Sequence, residues 1–541
     1  MSRGDRLTRR QVLRRGGIAL LGMAGGATGA RLAAAGGASS RSPAGPRPGR
    51  GGPAAEPVAG PPTAGPPAAG MAAAGPRTRL ATLTAAETEL DLGGRVVRTW
   101  AYGDQLPGPL LRGTAGDVFE VRLRNRLPDP TTIHWHGMAV PWDQDGVPGL
   151  PAPAIAPGRD GGYRFTLRDP GTYWYHPHVG VQLDRGLHGV VIVDDPREAG
   201  RYDVELVVVL DDWLDGTGRT PDQVLRTLGA GMSGMGGMDA GAGVGHAGPG
   251  THRMSPGSGT GATASAAMPA FRSALLGGDA GDVAYPHYLV NGRTPAAPAT
   301  LRARPGQRAR IRLVNVAADT AFRVALGGHR LTVTHSDGFP VDPVTVDAVL
   351  LAMGERYDLE VTLGDGAFPL VAVAEGKGGQ GLAVVRTAAG ATPPASRRPG
   401  ELARRLLRTR DLRAADAVLV ADRPPDRSHD VVLEGDMMRW RWTINGHGGG
   451  EMAELPAARG ERVRLRFVNL SSMFHPMHVH GHTFQVRHGS LSGPRKDTVI
   501  VLPLETVVAD LEADNPGRWL THCHNLYHSE SGMMAVLDYP A

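Results

Sequence analysis

Cysteine is nearly absent from this sequence, since Cys523 is the only one in 541 residues. A single cysteine excludes an internal disulfide, and the lack of one near the N-terminus excludes a bacterial lipoprotein anchor. Long apolar runs are missing too. The uncharged stretch 16–30 is too short and too rich in Gly to span a bilayer as a stable helix. We therefore expect no stable membrane span.

An excess of basic over acidic residues is confined to the N-terminus. The formal net charge of the whole chain is +5, but residues 1–50 alone contain ten Arg, no Lys and one Asp and therefore have a net charge of +9. Residues 51–541 are left with −4, which makes this part of the chain mildly acidic. A body of this charge gives no reason to expect a nucleic-acid partner.

The residues around the lone cysteine, 521–533, form the most informative motif. Cys523 is flanked by two histidines, and His528 and Met533 follow five and ten residues later. A thiolate, an imidazole and a weak thioether are three of the four ligands of a blue-copper site, so a second imidazole should come from elsewhere. If 521–524 form a strand, His522 and His524 point one way and Cys523 the other. The alternative is a buried free cysteine beside surface histidines.

Three more His-x-His pairs occur in the chain: His134 and His136, His176 and His178, and His478 and His480. In a strand, each pair places two imidazoles on one face. Together with His522 and His524 they make eight imidazoles, which suit several copper ions better than one zinc ion with its three or four ligands. His475 follows an aromatic residue, three positions before His478, and is the natural candidate for the missing imidazole beside Cys523.

An internal repeat accounts for the distribution of the pairs. Three segments, 119–125, 309–315 and 463–469, share one strand-like sequence pattern, and each ends in Asn. Histidine pairs follow the first and third copies, whereas the second has aliphatic residues at the same offsets: Val324, Leu326, Val371 and Val373. The repeat predicts three similar units, with a metal site between the first and third. Short Val- and Leu-rich runs between Gly- and Pro-rich turns predict an all-β chain of Greek-key β-sandwiches.

On these motifs the chain resembles the three-domain multicopper oxidases, the family of laccases and bacterial cuprous oxidases, over roughly residues 80–541. The resemblance implies cupredoxin-like domains, four copper ions, and reduction of dioxygen to water. It implies that His134 and His478 bind the type 2 copper. It assigns the type 3 pair to six residues: His136, His176, His178, His480, His522 and His524. The type 1 copper falls to His475, Cys523 and His528, with Met533 as axial ligand.

The resemblance also implies roles beyond copper binding. Cys523 is expected to deliver electrons from the type 1 copper to the cluster. Asp145 matches an acid that the family places near its cluster, where dioxygen reduction consumes protons, and it also suits the turn at 145–149. Bacterial members often have Glu directly after the histidine corresponding to His528; Ser529 stands there in this chain, and we expect Glu530 to substitute.

The chain is predicted to begin with segments that are not part of the fold. Residues 8–14 resemble a twin-arginine export signal, which predicts a signal peptide at 1–35, use of the twin-arginine export machinery, and a location in the periplasm, cell wall or medium. The alternative is a basic disordered tail. The remaining predicted boundaries are a disordered linker rich in Ala, Gly and Pro at 36–78, domain one at 79–196, domain two at 197–390, a linker at 391–428 and domain three at 429–541.

The sequence leaves two classes of substrate open: Cu(I), and phenols with aromatic amines. An insertion at about 216–280 contains Met232, Met235 and Met238, and thioethers select Cu(I), so it predicts a copper-capturing loop or, alternatively, a low-complexity linker. Met473 matches a position that helps to bind substrate Cu(I) in cuprous oxidases. Ser471 replaces the acid expected two positions earlier, which favours phenols and aromatic amines. A rival of another class is an exported copper-binding protein without catalysis.

Overall fold

The computed structural model describes residues 75–198, 200–230, 271–437, 439–489 and 491–540. The predicted signal peptide, nearly all of the predicted first linker, and Met232, Met235 and Met238 lie outside these residues. The described chain is built of strands, with two α-helices, α1 (Pro221–Gly229) and α2 (Leu526–Glu530). No helix in these ranges is long and apolar enough to cross a membrane.

The first domain consists of two four-stranded sheets. Its strands are β1 (Thr78–Asp91), β2 (Val96–Tyr102), β3 (Leu111–Thr114), β4 (Val118–Asn125), β5 (His134–His136), β6 (Asp160–Thr166), β7 (Gly171–His176) and β8 (Gly189–Asp194). The strand order is β2-β1-β4-β6 in one sheet and β3-β8-β7-β5 in the other. The second sheet carries both histidine pairs of this domain.

The second domain has one six-stranded, one five-stranded and one two-stranded sheet. Its strands are β9 (Val204–Trp213), β10 (Arg272–Ser273), β11 (Gly278–Asp279), β12 (His287–Val290), β13 (Ala299–Arg302), β14 (Arg308–Asn315), β15 (Phe322–Leu326), β16 (Leu331–Ser336), β17 (Phe339–Val346), β18 (Val349–Leu351), β19 (Arg356–Thr362), β20 (Ala367–Ala374) and β21 (Gln380–Arg386). The strand orders are β12-β9-β14-β19-β16-β17, β13-β21-β20-β15-β18 and β10-β11.

The third domain again pairs a six-stranded with a five-stranded sheet. Its strands are β22 (Arg427–Asp436), β23 (Arg441–Ile444), β24 (Ala453–Pro456), β25 (Arg462–Asn469), β26 (His475–Val479), β27 (Phe484–His488), β28 (Leu491–Lys496), β29 (Thr498–Val501), β30 (Thr506–Glu512), β31 (Arg518–Cys523) and β32 (Met534–Asp538). The strand orders are β23-β22-β25-β30-β27-β28 and β24-β32-β31-β26-β29.

Short 3-10 helices lie between the strands, at Trp142–Gln144, Gln182–Arg185, Pro196–Glu198, Gly400–Ala403, Thr409–Asp411 and Asp416–Val418.

One pairing pattern recurs in all three domains. The first strand of each lies parallel to the predicted repeat strand, as β1 with β4, β9 with β14 and β22 with β25. A second parallel pair recurs in the other sheet, as β3 with β8, β13 with β21 and β24 with β32. The repeat read from the sequence is therefore a repeat of sheet topology.

The asparagine that ends each repeat strand explains its recurrence. Asn125, Asn315 and Asn469 are fully buried, and each side-chain oxygen accepts the N–H of the residue two positions on. Each amide nitrogen donates to two carbonyl oxygens; for Asn469 these belong to Met473 (2.7 Å) and Val501 (3.1 Å). Such a side chain fixes the loop that leads to the next strand. In domains one and three that strand carries metal-ligand candidates.

The aliphatic residues of the middle repeat pack in the core. Val324 and Leu326 on β15 and Val371 on β20 are no more than 1% exposed. The segment predicted as the second linker, 391–428, makes backbone hydrogen bonds to both neighbouring domains, since Asp342 donates to Arg413 O (2.9 Å) and Ala414 donates to Gly493 O (3.0 Å).

Candidate metal centres

Two pairs of short strands position the four His-x-His motifs. β5 pairs with β7 so that His134 lies opposite His176, and β26 pairs with β31 so that His478 lies opposite His522. The second histidines of the other three motifs lie just beyond their strands: His480 and His524 follow β26 and β31 directly, and His178 lies two residues after the end of β7. Each of these two sheets therefore presents four imidazoles at one place.

The two sets of imidazoles meet between the first and third domains. The rings of His134 and His480 stack with centroids 3.7 Å apart, and those of His136 and His478 stack at 3.8 Å. The four side chains of these stacked pairs are buried. Residues more than 300 positions apart in the chain thus form one cluster, as the repeat predicted.

One division of the cluster uses each histidine once. The ligand nitrogens of His178, His480 and His522 all lie within 4.8 Å of one another. The ring centroids of His136, His176 and His524 are 4.9–5.9 Å apart. The centroids of the remaining pair, His134 and His478, are 5.8 Å apart. The arrangement is therefore compatible with three metal positions held by three, three and two imidazoles.

Backbone carbonyls orient the two rings of this remaining pair. His134 donates from Nδ1 to Asp145 O at 3.0 Å, and His478 donates from Nδ1 to Asp497 O at 2.9 Å. In both rings Nε2 is buried and has no hydrogen-bond partner among the described residues. Because buried polar atoms are nearly always partnered, two free lone pairs at one place indicate a ligand.

The same holds for other rings of the cluster, with one reversal. His176 donates from Nδ1 to Pro177 O (2.9 Å) and leaves Nε2 free, whereas His136 turns Nε2 towards Thr498 Oγ1 (3.1 Å) and leaves Nδ1 free. Both ring nitrogens of His524 lack partners in the described part of the chain. Converging neutral imidazole nitrogens fit copper.

Burial keeps these imidazoles in the metal-binding form. Desolvation, followed by repulsion from neighbouring histidines, lowers the pKa of six of them well below the usual value: His136, His176, His178, His480, His522 and His524. A neutral ring has a lone pair available for a metal ion.

A second group lies on the other face of β31. The Sγ atom of Cys523 is 3.5 Å from His475 Nδ1 and 3.7 Å from His528 Nδ1, and these two nitrogens are 3.2 Å apart. Met533 is fully buried, and its carbonyl accepts the Cys523 N–H at 3.1 Å. Burial raises the pKa of the Cys523 thiol, so its thiolate requires a cation beside it.

Both imidazoles beside Cys523 have a partner on their outer nitrogen. His528 Nε2 is 2.9 Å from Asp282 Oδ2, and His475 Nε2 is 2.7 Å from Ser471 Oγ. These contacts turn both Nδ1 atoms towards the sulfur. Asp282 belongs to the second domain, which has no ligand motif, and sequence reasoning missed it because no local pattern marks it.

The two expected acids lie beside the eight-histidine cluster. Asp145 Oδ2 is 2.8 Å from His480 Nδ1, and Asp145 Oδ1 is 3.1 Å from His134 Nδ1. Glu530 ends α2, and burial raises its pKa to about 7. It lines a narrow pocket together with four cluster residues: His176, His178, His522 and His524.

The methionine expected at a substrate site is deeply placed. Met473 is fully buried in the core and forms an isolated backbone bridge with Asp279 of the second domain. Asp279 itself is half-buried. An acid therefore lies beside Met473 in space, although Ser471 occupies the position where the family pattern has one.

Family models described as "Multicopper oxidase" match residues 84–198, 258–390 and 422–541. The chain belongs to the multicopper oxidase family. It is 48% identical over 469 residues to multicopper oxidase MmcO of Mycobacterium tuberculosis, covering 86% of this chain and 87% of that protein. It is 29% identical to a copper resistance protein A homolog of Pseudomonas syringae pv. tomato, covering 83% and 90%. A multicopper oxidase structure from Pseudomonas thermotolerans superposes with a TM-score of 0.62 at 26% identity, covering 86% of this chain and 99% of that one.

Membership in this family confirms three expectations. The fold is all-β with cupredoxin-like domains, as in the similar structures. The cofactor is copper. The chain is a copper-dependent oxidoreductase, and the alternative of a copper-binding protein without catalysis is not favoured.

Proposed function

We propose that the chain holds four copper ions and uses them to couple one-electron oxidation of substrate to reduction of dioxygen. His475, Cys523 and His528, with Met533 as axial ligand, would hold the type 1 ion. His134 and His478 would hold type 2. The type 3 pair would take two groups of three: His136, His176 and His524, and His178, His480 and His522. Bound copper supplies the one-electron steps at one site and the four-electron reduction of dioxygen to water at the other.

One observation carries this proposal: the two groups of candidate ligands lie on the two faces of the segment formed by β31 and His524. Cys523 lies within reach of the two Nδ1 atoms of the type 1 group, and its neighbours His522 and His524 lie in the cluster. The covalent path between the sites is therefore one residue of backbone on either side of Cys523. In an electron-transfer role, Cys523 both binds the type 1 ion and connects it to the cluster.

Oxygen uptake by the copper-loaded protein tests the proposal. With a one-electron donor in excess, we expect one dioxygen consumed for every four donors oxidised and no peroxide released. Cys523→Ser should lose the blue absorption and turnover but retain the type 2 signal in electron paramagnetic resonance (EPR). Copper loading without any oxygen uptake would contradict the proposal and support a copper store.

Asp145 and Glu530 are proposed as the acids that supply protons to the cluster. The Asp145 carboxylate accepts a hydrogen bond from His480 and lies 3.1 Å from His134 Nδ1, and Glu530 lines the pocket that opens on the cluster. A positioned general acid contributes about 100-fold or more to a rate. Glu530→Gln should therefore slow reoxidation of the reduced protein by dioxygen about 100-fold while leaving reduction by substrate unchanged. Glu505→Gln, which alters an exposed acid of the same domain, is the control.

Cu(I) is the proposed substrate, in copper tolerance, with phenols and aromatic amines as the competing class. Relatives named copper resistance protein support it, as does the pair of acids from domain two, Asp282 against His528 and Asp279 beside Met473. Burial raises the pKa of both acids, so a cation beside them would stabilise their ionised forms, which favours a cationic donor. Deleting residues 230–268 and comparing Cu(I) with phenol turnover tests the Met-rich segment. If Cu(I) oxidation were untouched, that segment would not be a capture loop.

Export through the twin-arginine route is proposed from residues 8–14. That route carries folded proteins, which suits a chain whose metal sites require folding. The periplasm, the cell wall or the medium would then be the destination. Replacing Arg9 and Arg10 by Lys should retain the protein in the cytoplasm, and unchanged export of this variant would contradict the proposal.

A further inference from the structure

A buried carboxylate outside the eight imidazoles contacts two of them. Asp497, between β28 and β29, is fully buried, and its Oδ1 lies 3.2 Å from His136 Nε2 and 3.5 Å from His478 Nδ1. Thr498 donates from Oγ1 to the same oxygen at 2.8 Å and itself lies 3.1 Å from His136 Nε2. The outer nitrogen of His136 thus faces two acceptors.

The partner of this carboxylate comes from the domain without copper ligands. Arg356, the first residue of β19, donates to both oxygens of Asp497, with Nη1–Oδ1 and Nη2–Oδ2 distances of 2.7 Å each. Its Nε also donates to Thr172 O of the first domain at 3.1 Å. The fully buried guanidinium therefore contacts all three domains at once.

A neighbouring acid fixes both ends of this pair. Asp337 accepts the backbone N–H of Arg356 on Oδ1 at 2.9 Å. Its Oδ2 accepts the N–H groups of Asp497 (3.3 Å) and Thr498 (3.2 Å). The backbones that carry the pair are thus held to one common carboxylate.

The ion pair of Arg356 and Asp497 lies directly against the end of β5, the strand that carries His134 and His136. A Cβ atom at Gly137, the residue after His136, would lie 2.4 Å from Arg356 Nη2 and 2.5 Å from Asp497 Oδ2. With φ of +80°, this position also favours glycine for conformational reasons. The glycine leaves room for the ion pair at the base of His136.

Hydrogen bonding to the outer nitrogen decides which nitrogen of a histidine faces a metal ion. In His136 the acceptors Asp497 and Thr498 keep the N–H on Nε2, so that Nδ1 carries the inward lone pair. In His176 the N–H is on Nδ1 and the free lone pair is on Nε2. A buried carboxylate needs a paired cation, and a guanidinium matches both of its oxygens, which an ammonium cannot.

We propose that Arg356 is a positioning residue for the copper cluster: through Asp497 it fixes the orientation of His136, so that the domain without ligands controls copper retention in the cluster. The inference rests on the proposed copper assignment. It concerns the cluster alone and leaves the type 1 site unaffected.

The test uses Arg356→Lys, Asp497→Asn and the isosteric Thr498→Val in the full chain. Each copper-loaded variant is titrated with a chelator while the type 2 EPR signal, copper per chain and the blue absorption are followed. Loss of such an outer partner costs about 10–100-fold in metal affinity. We expect cluster copper to leave at correspondingly lower chelator concentration while the blue absorption persists as in wild type.

Matched controls separate this role from the loss of any buried ion pair. Arg312→Lys and Asp358→Asn alter another buried pair of the second domain, joined at 3.0 Å, with no contact to a cluster histidine. They should match wild type in chelator resistance. Equal resistance of the first three variants and these controls would overturn the inference, and if Arg356→Lys does not fold, Thr498→Val decides. A wild-type chain that binds only one copper would instead overturn the proposed function.

Discussion

At the scale of single residues, the two histidines beside Cys523 that are proposed as copper ligands have unequal outer partners. A carboxylate faces His528 and a hydroxyl faces His475. Negative charge near a ligand stabilises the more highly charged metal ion. Burial raises the pKa of Asp282, and in its ionised form this side chain favours Cu(II) over Cu(I) at the proposed type 1 site.

Replacement of Asp282 by Asn should raise the reduction potential of the type 1 copper. A rise on the order of 60 mV corresponds to a tenfold change in the one-electron equilibrium. The measurement is a redox titration followed by the blue absorption. Ser471→Ala removes a neutral partner and should shift the potential less; an equal or larger shift in that control would show that charge is not the cause.

A single glycine of the second domain sets the clearance around the cluster. Gly354 has φ of +85°, and a Cβ there would lie 3.0 Å from His136 Cε1 and 3.0 Å from His524 Cδ2. We expect Gly354→Ala to lower cluster copper, measured as copper per chain and as the type 2 EPR signal. Gly306→Ala is the matched control, since its φ is +77° with no atom within 4 Å of the added Cβ. It should cost only about 1–2 kcal/mol of stability, the penalty of a left-handed backbone, and equal copper loss in both would contradict the steric account.

The sequence allowed prediction of the candidate ligands because each lies in a short motif whose spacing places it on a strand face. Asp282, Asp497 and Arg356 lie in no such motif. Their contacts arise between elements far apart in the chain, and nothing in the local pattern marks a residue that will meet a histidine of another domain. A neutral polar residue such as Gln or Asn at any of these three positions would leave the sequence pattern nearly unchanged, although it would remove the charge.

At the scale of elements, the sequence repeat predicted three strands, and β4, β14 and β25 lie where it places them. Each strand begins one residue before the corresponding repeat segment. The strand expected at 521–524 ends instead at Cys523. The reason is local: the Asn525 side chain accepts the N–H groups of Tyr527 and His528 and begins α2. That turn brings His528 back towards the sulfur of Cys523, which a continued strand could not do.

The connector between domains one and two supplies an acid-sensitive contact. Glu198 pairs with Arg310 and lies 3.2 Å from His335 Nε2. Burial alone would raise the pKa of Glu198, but the hydrogen bond from His335 and the charge of Arg310 outweigh it and lower the pKa to about 2.

A carboxylate with a depressed pKa stabilises the fold above its ordinary pKa of 4.5 and loses this contribution as pH falls towards 2. The melting temperature of Glu198→Gln should therefore fall less steeply than that of wild type over this range, with a lower value at neutral pH. Glu451→Gln, an exposed acid, is the control. Parallel curves for wild type and Glu198→Gln would contradict the assignment.

At the scale of the whole molecule, the cluster joins the first and third domains, so copper should stabilise the chain as a unit. A ligand that binds only the folded state adds stability of RT ln(1 + [L]/Kd), about 4 kcal/mol when its concentration is 1,000 times Kd. We expect copper removal to lower the melting temperature, measured calorimetrically. Cys523→Ser should keep most of the copper-dependent increase, because the cluster ligands remain. If that variant lost the whole increase, the stabilisation would belong to the type 1 site.

The spacing of the cluster ligands also bears on how the enzyme is made. His134 and His478 are 344 residues apart, so a ribosome has almost finished the chain before the second partner exists. No product of synthesis that ends before His524 can hold all eight imidazoles of the cluster. We therefore expect cluster copper to be inserted when synthesis is nearly or fully complete, and a chain truncated before His524 to lack part of the proposed site of dioxygen reduction.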